Sequence, residues 1–299
     1  MDKAPIILAG ATGDLGGRIA RAIRDRGGGV RALVRREGDP EKIEALRNSG
    51  ADIAAVDFKS NAELTGACRG GACVVSALSG LREVIVDTQQ LLLNAAIEAN
   101  VPRFIPSDFS IDFTKLQPGT NRNLDLRREF QECIDLSPIR ATSILNGMFT
   151  HLLLGEAPVI LFKIKRVLYW GDADQLLDFT TMDDAAAFTA AAALDPETPR
   201  FLRIAGNQLS ARGLAQAAAG VTNEKFGLLR AGSLKRYAFL IKFVKTVFPQ
   251  NDALYPPWQG MQYMHNMLGG QAKLDPLDND RYPGMPWTTV ADVLAARMH

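Results

Sequence analysis

Three glycines at intervals of three, Gly10, Gly13 and Gly16, lie in the run Gly-Ala-Thr-Gly-Asp-Leu-Gly. They follow a short apolar run, residues 6–9, and precede a helix-like stretch. Glycine there lets the chain turn tightly and lie close to a diphosphate, and it lets the helix sit against the strand. The helix start adds free N–H groups and the positive end of its dipole. Gly10, Thr12, Gly13, Asp14, Leu15 and Gly16 are therefore candidate dinucleotide contacts. A second apolar run, residues 30–34, ends in Arg35 and Arg36, with Lys42 shortly after. An acidic residue at that place would hold ribose hydroxyls, whereas arginine suits a 2′-phosphate. The expected cofactor is NADP(H), with Arg35, Arg36 and Lys42 at the extra phosphate.

These residues need a frame, and the chain supplies one. The first helix carries Ile19, Ala20, Ala22 and Ile23 on one side and Arg18, Arg21, Arg24 and Asp25 on the other, and Gly27 to Gly29 stop it. Helical stretches over 40–48, 62–68 and 82–100 then alternate with strands over 53–56, 73–78, 103–106 and 139–145. Strands separated by helices predict a parallel sheet covered on both faces, with right-handed crossovers. Ligands of such sheets bind beyond the C-terminal strand ends. That rule adds Asp57 and Phe58, the small run Ser76, Ala77 and Leu78, then Pro106, Ser107, Asp108 and Phe109, and finally Asn146 and Phe149. The last two groups are expected nearest the nicotinamide.

The fold class is α/β: a Rossmann-type doubly wound parallel sheet over 1–155, with a smaller C-terminal α/β lobe over 156–299 that binds substrate and returns some segments to the sheet. In the second part, 159–169 reads as a strand or hairpin and 179–194 leads into an alanine-rich helix. Asp183 and Asp184 suit that helix's N-terminus better than catalysis. Ser210 and Ser233 cap two further helices, and Thr288 or Thr289 caps the last. The helix after Ser233 places Leu234, Ala238, Ile241, Val244 and Phe248 on one side and Lys235, Lys242 and Lys245 on the other, which reads as a solvated basic face.

Composition narrows the class. The 34 basic and 33 acidic side chains give no excess that points to nucleic acid. Cys68, Cys73 and Cys133 lack metal-ligand spacing and read as buried thiols of a reducing compartment. No metal is expected. No signal peptide and no membrane-length apolar run is evident, so the expectation is a cytoplasmic protein with no membrane partner.

Several segments, in order along the chain, resemble one family. The glycine run is similar to that of atypical short-chain dehydrogenase/reductases. Arg103-Phe104-Ile105-Pro106-Ser107-Asp108-Phe109 resembles a segment of their isoflavone reductase-like and NmrA-like branch. So do Tyr169-Trp170-Gly171-Asp172 with Asp183-Asp184-Ala185, Leu209-Ser210, and the run from Tyr282-Pro283 to Thr288-Thr289-Val290. The resemblance implies an NADPH-dependent reductase acting on a small aromatic or conjugated substrate. It also implies a lysine general acid or base early in a helix, and that position falls at Arg127 here. Arginine donates hydrogen bonds but hardly exchanges a proton. It is suited to stabilising a developing phenolate or enolate. His265 falls where the branch has a histidine before a glycine, and Lys115 in a loop is a further candidate. Met148, Phe149, Trp258, Met261, Met264 and His265 are candidates for an apolar substrate pocket. The alternative is a sensor of the NmrA type that binds NADP(H) and regulates a protein partner without turnover. A homodimer is left open.

Overall fold

The computed structural model describes residues 4–298, and within it the chain divides into two compact units. The first comprises residues up to Phe109, then Leu126–Ile144 and Ala185–Leu202; the second comprises Ser110–Asp125, Leu145–Asp184 and Arg203 onward.

The first unit is built on six strands, β1 (Ile6–Ala9), β2 (Val30–Arg35), β3 (Asp52–Val56), β4 (Cys73–Ser76), β5 (Arg103–Ile105) and β6 (Arg140–Ala141). They form one parallel sheet in the order β3-β2-β1-β4-β5-β6. Strand order reverses at β1, the position at which such sheets bind ligands. Register aligns Ala9 with Leu33 on one side and with Ser76 on the other. Gly10, Arg35 and Ala77 therefore leave the sheet along one edge.

The connections are α1 (Asp14–Asp25), α2 (Pro40–Asn48), α3 (Asn61–Cys68), α4 (Gln89–Glu98) and α5 (Arg122–Asp135). Helix α1 buries Ile19, Ala20 and Ile23 of the apolar side read from its sequence, together with Gly16, while Ala22 stays partly exposed. Asp39 caps α2 and Ser60 caps α3 through side-chain oxygens. The core joins Ile7, Leu33, Val74, Leu93 and Phe104 to Phe130 and Ile134 of α5.

Two expectations change. The helix expected over 82–100 opens with a π-helical turn, Glu83–Thr88, before α4. At the junction the buried Gln89 donates its side-chain amide to the Ile85 carbonyl. The single strand expected over 139–145 is two. Thr142 still gives its N–H to Phe104, but Ser143 gives its own to Arg200, so β7 (Ser143–Leu145) leaves the main sheet. The Thr142 hydroxyl, 2.8 Å from the Pro199 carbonyl, fixes the changeover.

The second unit carries two three-stranded sheets. One places β11 (Leu177–Thr180) between β8 (Met148–Phe149) and β13 (Asn207–Leu209). The other places β10 (Arg166–Trp170) between β9 (Ile160–Leu161) and β14 (Gly227–Gly232). Helix α6 (Met182–Leu194) leads out of β11 and from Ala185 belongs to the first unit, as does most of β12 (Phe201–Arg203), which pairs with β7. Helices α7 (Ala211–Thr222) and α8 (Leu234–Val247) carry the expected Ser210 and Ser233 caps. Helix α9 (Pro257–Leu268) and α10 (Val290–Met298) complete the unit. Thr289 exchanges hydrogen bonds with Asp292 at the start of α10, a reciprocal cap. No helix among the described residues is long and apolar enough to cross a membrane.

Candidate functional site

The three glycines have three different physical reasons. Gly10 has φ +82°, and a Cβ there would lie 2.5 Å from the Ala77 carbonyl oxygen. A Cβ on Gly16 would lie 2.0 Å from the Gly10 oxygen, so the helix could not sit on the turn. Gly13 differs. Its Cβ would meet protein only at 3.3 Å, its φ is −82°, and it is exposed. Its φ is one that any residue adopts, and the contact with the Gly10 backbone oxygen asks the turn to give by only a few tenths of an ångström. Gly13 also caps α1 without any side-chain hydrogen bond, so the first amides of the helix stay open. Asp14, at the first helical position, is engaged by Arg18 at 2.7 Å. This donor set suits a diphosphate: bare backbone amides, a helix N-terminus and a clearance that a Cβ would fill.

At the end of β2 both arginines are exposed, but they are not equivalent. Arg36 pairs with Glu63 at 2.8 Å, and the same carboxylate accepts the Asp57 N–H at 2.9 Å. Arg35 has no such pair among the described residues and stands at the sheet edge. Lys42 sits in the first turn of α2, its backbone N–H on Asp39. Asp57 accepts the Lys59 N–H, a turn of its own making, and Phe58 packs partly buried against the core.

Beyond β4 and β5 the edge is laced by side chains. Ser107 gives its hydroxyl to the Leu78 carbonyl at 2.6 Å, and its N–H goes to Gln89 at 3.0 Å. This ties the expected Ser76–Leu78 and Pro106–Phe109 segments together. Gln89 and Glu63 were not among the sequence candidates; their partners are distant in the chain and no local pattern marks them. Ser76 is fully buried, and its Oγ has no hydrogen-bond partner among the described residues. Asp108 is buried and accepts the Ser143 hydroxyl at 2.6 Å. Burial pushes its carboxyl above the usual carboxylate range, opposed by that hydrogen bond and by the positive charges of Arg127 and Arg200. Arg127 itself is buried on α5, so the cation at the expected proton-donor position stands in the field of Asp108.

The second unit holds the remaining candidates. Asn146 is buried, with its carbonyl bonded to the Thr180 hydroxyl and its Oδ1 without a hydrogen-bond partner among the described residues. Met148 is buried and Phe149 partly so, its ring stacked on His151 at 6.0 Å. Lys115 donates to the carbonyls of Lys273 (2.8 Å) and Asp275 (3.1 Å). His265 is half-buried beside Tyr237 and hydrogen-bonds the Leu234 backbone. Burial holds its pKa below the ordinary 6.5, with the Leu234 bond opposing. Trp258 is fully buried, its indole N–H on the Pro249 carbonyl and its ring flanked by Arg122 and Lys245. Met261 and Met264 are partly exposed on the same helix. Asp183 and Asp184 lie in the first turn of α6 as expected, and Asp184 also accepts the N–H and hydroxyl of Thr288, a contact not read from the sequence. Sequence reading missed Asp178, a buried carboxylate that gathers Lys273, Gln208 and the Leu274 N–H.

Comparison with known proteins gives a consistent result. The model of the NmrA-like family matches residues 2–254. Pinoresinol reductase 1 of Arabidopsis thaliana is 31% identical over 212 residues, covering 66% of this chain and 67% of that protein. Phenylcoumaran benzylic ether reductase IRL1 of Ginkgo biloba is 25% identical over 98% of this chain and 99% of its own length. A solved structure, AtPrR2 with NADP+ and (+)-pinoresinol, superposes with a TM-score of 0.81 at 23% identity, covering 99% of both chains.

Proposed function

Because the chain belongs to the NmrA-like family, we propose that it is an NADPH-dependent reductase that transfers hydride to a small aromatic or conjugated substrate. Relatives named as pinoresinol and phenylcoumaran benzylic ether reductases support turnover over the sensor alternative, and they point to phenolic ethers such as lignans as the first substrates to try. The carrying observation is the Gly13 cap: an exposed glycine of ordinary φ, at a helix start whose amides have no side-chain partner.

The amides following Gly13 would bind the diphosphate, and Arg35 the 2′-phosphate. Glu63 holds Arg36 and so leaves Arg35 the principal reader of that phosphate. Ser107 holds the strand-end segments in place by its bonds to Leu78 and Gln89. When bound, the reduced nicotinamide supplies the hydride. Hydride addition leaves negative charge on a substrate oxygen, and Arg127 is the residue assigned to stabilise it. A guanidinium stays charged throughout the working range, so it acts as a fixed electrostatic partner, and solvent delivers the proton.

The test is NADPH oxidation by the purified chain against pinoresinol, other benzylic ethers, quinones and enones. Oxidation above background with at least one of them is expected. Tight NADPH binding without turnover on any would establish the sensor reading instead.

A further inference from the structure

Helix α8 departs from the solvated basic face read from its sequence. Tyr237 and Ile241 turn inward as the core side. The opposite side, however, also presents Phe239 at 74% exposure, Phe243 at 56% and Val247 at 49%. A spacing of four sets these three along a single stripe. At 100° per residue, Lys235 and Lys242 fall along one border of that stripe and Arg236 falls within it, between Phe243 and Val247. Lys245 points elsewhere, its Nζ 4.7 Å from the Trp258 ring centre. No acidic residue occurs from Ser233 to Val247; Asp252 is the first to follow. Past the helix end, Phe248 and Tyr255 are also exposed.

An exposed stripe of two phenylalanines and a valine on one helix marks a surface that something covers. A second copy of this chain, docked face to face, would set Lys235, Arg236 and Lys242 against their own equivalents with no carboxylate to answer them. The charge calls for an anionic partner. A stripe of two phenylalanine rings and a valine, with lysine stems along one border, also suits a lipid surface. Rings enter the boundary of the acyl chains while ammonium groups stay among the headgroups. We propose that α8 lies in the plane of a membrane surface bearing anionic headgroups and seats the protein there reversibly.

The full chain is pelleted with vesicles of phosphatidylcholine alone and with vesicles containing about a quarter phosphatidylglycerol. Co-sedimentation with the anionic vesicles and little with the neutral ones is expected, weakening as salt rises. The double variant Phe239→Ser, Phe243→Ser should lower the bound fraction at least about tenfold. Its melting temperature and NADPH affinity should not change, because both side chains are exposed. A Phe239→Trp chain should shift its emission to the blue on anionic vesicles and be quenched by brominated acyl chains. No binding to anionic vesicles overturns the proposal, as does binding that the serine variant leaves intact. A dimer in light scattering that the serine variant splits would assign the face to a second copy. Preferential capture of polyglutamate over the vesicles would assign it to an acidic protein.

Discussion

The first unit leaves backbone amides open at the start of its first helix, whereas three titratable side chains of the second unit, Lys115, Lys273 and His265, are all engaged. Helix α1 begins at a glycine that offers its amides no side-chain partner, and Ser76 Oγ lies buried with no hydrogen-bond partner among the described residues. In the second unit Lys115 holds two carbonyls, Lys273 is held by Asp178, and His265 is hydrogen-bonded to the Leu234 backbone. The first pattern is that of a surface prepared for a ligand rich in acceptors. The second spends titratable groups on fixing the backbone of loops that lack regular hydrogen bonding. Binding groups and proton-exchanging groups are thus provided for unequally.

The sharpest way to break this contrast is through the glycines. Gly16→Ala drives a Cβ to 2.0 Å from a backbone oxygen and Gly10→Ala adds a positive φ to a 2.5 Å clash. Each should lower stability by about 3 kcal/mol or more in urea unfolding. Gly13→Ala, whose Cβ meets the Gly10 oxygen at 3.3 Å, should lose far less stability than the other two yet bind NADPH at least about tenfold more weakly by calorimetry. Equal losses in all three would mean that Gly13 serves the fold alone.

Arg127→Met should cost about a hundredfold in turnover with cofactor affinity retained. Arg127→Lys, which keeps the charge but not the planar fork, should recover part of that. An Arg127→Met chain with full activity would remove it from the chemistry. Arg35→Asp should reverse the preference for NADPH over NADH by about tenfold or more in fluorescence titration, while Arg36→Ala, already paired with Glu63, should shift it much less.

The smallest effect expected is at His265. Its folded pKa lies below the unfolded value, so its contribution is complete above pH 6.5 and is lost as pH falls through the lower folded value. His265→Asn should flatten the fall in urea midpoint between about pH 7 and 5. An unchanged slope would free His265 from its structural role. Thiol labelling gives a companion check on the first unit: burial pushes Cys68 and Cys73 up to about 12, so the partly exposed Cys133 should react first.

Much of the first unit was legible because its determinants are local. A strand, a glycine turn and an amphipathic helix each announce themselves within a dozen or so residues. The break at Thr142 was not legible, because it depends on Pro199 and Arg200 competing for the backbone. The same holds for Glu63 and Gln89, whose partners are set by sheet order, and for Asp178, which answers to residues near 274. In α8 the expected inward side held at Ile241 but not at Phe248, which is exposed, and the pattern overlooked Tyr237 inside and Phe239 and Phe243 outside.

The first unit takes in three separated stretches of chain, and this bears on how it is made. Phe130, Ile134 and Ile139 belong to its core, and the buried Arg103 guanidinium is closed over by the carbonyls of Ala192 and Ala193 and by Thr198. During synthesis the early strands must wait, unsealed, until the ribosome has released residues up to Leu202. A fragment cut near residue 155 would lack that closing segment, so nascent chains of that length should be protease-sensitive and in need of a chaperone.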